Sequence, residues 1–296
     1  MRRHALSAAL ALSGARAIAA QSAPPSTDIF LATLAVRGTT VTVGTPVNIT
    51  HRDGYDNQPS FTPDGRAILY TVRADSQTDI WRYELASKAA TQLTHTAESE
   101  YSATVTPDGR GFSVIRVERD STQRLWRFAM TGEHPALVLA NVKPVGYHAW
   151  ADDSTLVVFV LGRPSTLQRV SVRGGEPVVL ARDIGRALQR IPGQHAISFV
   201  QSDSAKGAWI ERLDVATGTV TPIAPLPEGS EYHAWTRSGA LLATQRATIV
   251  RWNAATKTWS IVATFADPAL GKVSRIAIGP HDDMIAIVAE PGSLPP

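Results

Sequence analysis

Short apolar runs separated by turn residues, with no helical rhythm, set the pattern of this chain. The clearest run is Ala67-Ile68-Leu69-Tyr70-Thr71, preceded by Gln58-Pro59-Ser60-Phe61-Thr62-Pro63-Asp64-Gly65-Arg66. A continuous apolar run of this length predicts an inner strand buried on both faces. Pro63 presets the second position of a type I turn, Asp64 tolerates the third, and Gly65 supplies the left-handed φ from which a second strand leaves. A third strand over Asp79–Leu85 and a closing strand over Thr91–Thr94 complete a four-stranded antiparallel unit.

The unit recurs. Its second copy runs Tyr101–Val105, Thr106-Pro107-Asp108-Gly109-Arg110, Phe112–Ile115, Gln123–Phe128 and Ala136–Leu139. The third and fifth copies open on Tyr147-His148-Ala149-Trp150 and Tyr232-His233-Ala234-Trp235, with turns at Asp152-Asp153-Ser154 and Arg237-Ser238-Gly239. The fourth turns at Pro192-Gly193-Gln194. A sixth hairpin, Val273–Ile278 and Met284–Ala289, has no outer strands after it, whereas Asp28–Thr50 carries strands with no hairpin ahead of them. The turn positions Pro63, Pro107, Asp152, Pro192, Arg237 and Pro280 lie 40 to 45 residues apart. That period, with four strands per unit, predicts an all-β fold, a six-bladed β-propeller of four-stranded antiparallel blades. The N-terminal outer strands should close the blade begun by the C-terminal inner hairpin, which protects sheet edges. Ile80, Trp81, Tyr83, Trp126, Phe128 and Trp252 on the third strands are then inter-blade packing.

Residues 1–20 read as a secretory signal: Arg2 and Arg3, the apolar run Ala5–Leu12, and the small residues Ala17-Ile18-Ala19-Ala20. Residues 21–27 read as a flexible Pro/Ser-rich spacer and 28–296 as the propeller. A periplasmic or secreted location follows. Of the 29 Lys and Arg residues, Arg2, Arg3 and Arg16 lie in the leader, and without them bases balance the 26 Asp and Glu. The pI of about 9.3 therefore gives no argument for nucleic acid or an anionic membrane surface. No apolar run reaches the roughly 20 residues of a membrane span. The chain has no cysteine, which excludes a disulfide framework and thiol chemistry. A monomer is expected.

Phe61-Thr62-Pro63-Asp64-Gly65-Arg66 and Val105-Thr106-Pro107-Asp108-Gly109-Arg110, followed by Asp79-Ile80-Trp81-Arg82-Tyr83 and Arg124-Leu125-Trp126-Arg127-Phe128, resemble the WD-like repeat of TolB-type propellers. The resemblance implies a periplasmic or secreted six-bladed scaffold that binds a protein partner or small ligand at a propeller face or in the central channel. The separate α/β domain that precedes the propeller in TolB is not expected here, since only residues 21–27 lie between leader and first strand.

No Gly-x-Ser-x-Gly elbow, His-Glu-x-x-His pair, phosphate-cradling Gly-rich loop or dinucleotide fingerprint occurs. The one constellation with chemical potential is the duplicated Tyr-His-Ala-Trp. It places Tyr147, His148, Tyr232 and His233 at the starts of two innermost strands, at one mouth of the channel, with Glu231, Glu100, Asp56 and Tyr101 in equivalent approach segments. His148 and His233 with a carboxylate would suit a divalent metal such as zinc or manganese, or acid–base work in a hydrolase or lyase. The competing and preferred reading is inherited packing, with tryptophan in the core and histidine making local hydrogen bonds. Asp152-Asp153 and Asp282-Asp283 are read as turn residues. The leading expectation is thus a non-enzymatic interaction or ligand-binding scaffold. The alternative is a metal-dependent hydrolase or lyase at the channel mouth.

Overall fold

The computed structural model describes residues 25–292. The proposed leader, and most of the spacer behind it, lie outside the described residues. Six antiparallel sheets form the blades of a propeller. Blade one runs outward through Asp56–Phe61, Ala67–Ala74, Gln77–Glu84 and Ala90–Gln92. Blades two to five repeat this order, with innermost strands Ser99–Val105, Val145–Trp150, Ile184–Arg190 and His233–Trp235.

Blade six joins the two ends of the chain. Its inner hairpin is Lys272–Ile278 and Met284–Glu290, and Asp28–Arg37 pairs onto the latter from Asp28 opposite Ala289 to Thr33 opposite Met284. Two segments share the far edge of Asp28–Arg37: Thr40–Val43 covers one half and Val47–Asn48 the other. Asp28 fixes the second segment, accepting from Asn48 Nδ2 at 3.0 Å and Thr50 Oγ1 at 2.7 Å. The spacer ends sooner than its composition suggests, because Ser26 bonds the Gly54 carbonyl at 3.0 Å and Thr27 is buried against Asp56.

The turns form as their residues dictate. Gly65 and Gly109 take φ of 66° and 69°. Thr62 Oγ1 donates to Asp64 at 2.6 Å and accepts the Ala67 amide at 3.0 Å, and Thr106 with Asp108 and Gly111 repeats the arrangement. The threonine hydroxyl and the Arg66 amide hold the Asp64 carboxyl below its ordinary range.

The core is divided into six apolar layers, each between neighbouring blades. Leu69, Ile80, Phe112 and Phe128 fill the layer between blades one and two, where the two phenyl rings stack 5.5 Å apart. Tyr83 and Trp81 pack with Ile29 and Ala286 between blades one and six, and Trp252 with Val200 and Ile210 between blades four and five. The third-strand aromatics are inter-blade packing, each buried ring contributing about 1.5–3 kcal/mol. The innermost strand of blade four, Ile184–Arg190, has no counterpart in the apolar pattern, because Arg186, Gln189 and Arg190 interrupt it.

Candidate functional site in the central channel

The innermost strands surround a channel of about 950 Å³. Five of the six carry a register irregularity near their start, at Asn57/Ser60, Tyr101/Thr104, Val145/Tyr147, Ile184/Leu188 and Val273/Arg275. A bulge bends its strand and re-aims the side chain beside it. In each blade a residue at one fixed place, four positions before the amide that closes the inner hairpin, reaches the channel wall: Gln58, Ser102, Tyr147, Ala187, Tyr232 and Arg275. The longer irregularity of blade four adds Arg186 beside Ala187.

On one side this ring is a polar joint between blades. Gln58 Oε1 accepts from Thr71 Oγ1 at 2.8 Å and from the Ser102 amide at 2.7 Å. On the other side it concentrates phenols and cations. Tyr147 and Tyr232 hydroxyls lie 3.4 Å apart. The Arg275 guanidinium sits 3.8 Å above the Tyr232 ring and 5.6 Å from the Tyr147 ring, with Nη2 3.5 Å from the Tyr147 hydroxyl. Arg186 and Tyr55 lie within electrostatic reach of the same group. Burial raises the Tyr232 and Tyr55 phenols. Burial acts the same way on Tyr147, but Arg275, the Tyr232 hydroxyl and Arg186 together hold it below the ordinary phenol range.

Among the described residues neither Arg275 nor Arg186 forms a salt bridge, and Arg275 Nε is buried without a partner. Taking a cation out of water costs several kcal/mol, and stacking on aromatic faces returns about 2. Arg275 therefore carries charge that no carboxylate among the described residues balances, while Arg186 is exposed with Glu231 within electrostatic reach.

The two histidines of the repeated motif do something else. His148 and Trp150, two apart on one strand, share a face and reach the same hydroxyl of the preceding blade. His148 Nε2 is 2.7 Å and Trp150 Nε1 2.9 Å from Ser113 Oγ. Blade five repeats this: His233 Nε2 is 2.7 Å and Trp235 Nε1 2.8 Å from Ser198 Oγ. Each serine hydrogen has its own acceptor, the carbonyls of Thr104 at 3.2 Å and Gln189 at 3.3 Å. The hydroxyl thus accepts from both rings, which assigns the proton to Nε2 and leaves Nδ1 a bare lone pair. Burial alone pushes His148 down to about 4 and His233 down to about 3, so both are neutral at physiological pH.

The remaining predicted residues disperse. Glu100 is wholly buried against Arg116, whose Nε is 2.9 Å away and whose guanidinium covers the Trp126 ring at 4.7 Å. Asp56 pairs with Arg52 at 2.9 Å, and burial raises its carboxyl to about 6. Tyr101 packs on the layer between blades two and three, and Glu231 is exposed near Arg186. The structure brings Tyr147 and Tyr232 together and gives His148 and His233 separate serine partners. Among the described residues no three His, Asp or Glu side chains gather to hold a metal, and both histidine Nδ1 atoms are shut off from solvent. This donor set does not fit a divalent ion. Sequence reading missed Arg275, Arg186 and Tyr55; the signal for Arg275 was its fixed offset from the hairpin, shared with Tyr147 and Tyr232.

The fold is that of six-bladed β-propellers. A putative TolB from Agrobacterium tumefaciens is similar over 90% of this chain and 98% of its own, with TM-score 0.67 and 15% identity. A gluconolactonase from Xanthomonas campestris aligns over 92% of this chain and 99% of its own, with TM-score 0.61 and 11% identity. An oligogalacturonate lyase in complex with manganese aligns over 91% and 98%, with TM-score 0.54 and 15% identity. No protein-family profile and no curated protein matches the chain. At such identities the likeness establishes architecture, and propellers of this architecture include both lyase and lactonase enzymes. No helix among the described residues is long and apolar enough to cross a membrane.

Proposed function

We propose that this chain is an exported, non-catalytic TolB-like propeller that serves as a binding scaffold, taking a protein segment or a small ligand at the mouth of its central channel. One observation carries the reading. The side chains best suited to acid–base or metal chemistry, His148 and His233, are neutral, buried and committed to inter-blade hydrogen bonds. Around them the channel wall carries phenols and guanidinium groups suited to recognition, with the exposed His195–Asp152 pair at its other end. Export rests on the leader pattern of residues 1–20.

The test is capture from a periplasmic extract by the tagged mature chain after mild crosslinking, beside assays of the same preparation on lactones, acidic oligosaccharides and peptides. The scaffold reading expects a retained partner or ligand and no turnover. Turnover that disappears in a His148→Gln/His233→Gln double variant overturns it.

A further inference from the structure

Two arginines in this chain pack on aromatic rings, Arg116 buried and Arg275 half-buried, and they are treated differently. Arg116 stacks on Trp126 and Phe128 but also holds Glu100 at 2.9 Å, with Glu98 at 3.7 Å. Its charge is balanced within the protein, as a structural arginine requires. Arg275 has the same kind of aromatic bed, Tyr232 and Tyr147, but no carboxylate partner among the described residues. The same two phenols lie within electrostatic reach of a second cation, Arg186 of blade four, which also lines the channel. Glu231 is near Arg186 but exposed and unbonded to it.

We propose that the channel is a binding site for a small oxyanion, a carboxylate or phosphate group, held between Arg275 and Arg186 and hydrogen-bonded by the Tyr147 and Tyr232 hydroxyls. The proposal deepens the scaffold reading and rests on it. Arg275 Nε is out of solvent's reach, so the ligand meets the guanidinium through its terminal nitrogens. Guanidinium and phenol groups are all donors to an anionic oxygen, and charge-assisted bonds of this kind are the strong ones. The opposite ends of the innermost strands carry Asp152 and Asp153. Arg190 lines that end beside them, so its charge is offset there, and the positive excess that attracts an anionic ligand lies with Arg275 and Arg186.

The experiment is thermal unfolding and calorimetric titration of the mature chain with glucuronate, inorganic phosphate and glucose, at constant ionic strength set with chloride. Glucuronate or phosphate should raise Tm saturably and glucose should not, because a ligand selective for the folded state stabilises it by mass action. A response to one anion alone identifies the head group, and a response to both assigns a general oxyanion site. Arg275→Met should weaken binding tenfold or more, and Arg186→Gln and Tyr147→Phe at least threefold each. If Arg275→Met does not fold, the other two variants decide. No saturable response to either anion, an equal response to glucose, or unchanged affinity in the variants overturns the site. A chain that still captures a protein partner but ignores anions refutes this site alone. One that binds anions but retains no partner refutes only the protein-scaffold form of the reading.

Discussion

Acidification should loosen the propeller through two histidines that touch no ligand. His148 and His233 are fully buried and pushed by desolvation down to about 4 and 3, against an ordinary value of 6.5. A depressed histidine keeps its neutral form when folded, whereas the unfolded chain gains a proton below pH 6.5. The stabilisation is complete above 6.5 and is lost as pH falls toward the folded values. At pH 5 each imidazole in the unfolded chain is almost wholly ionised, and the loss is roughly 2 kcal/mol per histidine. The two sit at different blade interfaces, so the losses add to about 4 kcal/mol between pH 8 and pH 5. Asp56, raised to about 6 by burial, works in the opposite sense, adding stability as pH falls from 6 toward 3.8. A His148→Gln/His233→Gln variant keeps Asp56 and an N–H donor for each serine but removes the titration. Urea unfolding of parent and variant at pH 8, 6.5 and 5 gives the difference directly. The parent should lose about 4 kcal/mol more than the variant. A difference flat with pH within about 1 kcal/mol would refute the buried, neutral assignment.

Ser198→Ala removes the acceptor shared by His233 and Trp235, leaving one buried and one half-buried donor unpaired; it should cost about 2–4 kcal/mol in urea unfolding at pH 8. Ser113→Ala should match it at the interface of blades two and three. Arg116→Met strands the buried Glu100 and should cost about 3–5 kcal/mol at neutral pH. That cost should shrink in acid, because burial already raises the Glu100 carboxyl. Deleting residues 28–50 bares the edge of Met284–Glu290, and size-exclusion chromatography should show aggregation or loss of a cooperative transition. A deletion as soluble as the parent would contradict closure between the termini.

The fold was legible because its determinants are local. Pro63-Asp64-Gly65 and Pro107-Asp108-Gly109 make their turns with their own side chains, and the orphan strands at each end have only one another to complete a blade. The site was half legible, and strand geometry says why. The duplicated Tyr-His-Ala-Trp pointed to the correct two strands, but adjacent strand residues face opposite ways. Once His148 and Trp150 turn to Ser113, Tyr147 must turn away from it, toward Tyr232 and Arg275. The motif therefore carries a structural half and a channel-facing half in neighbouring letters, and residue chemistry alone favours the histidine. Arg275 stayed hidden because its own segment, Lys272–Ile278, repeats no motif; what it shares with Tyr147 and Tyr232 is an offset from the hairpin. In a repeat fold the offset carries more information about the channel than residue identity. Symmetry brings equivalent positions to one ring, and function can then place a different chemistry at each.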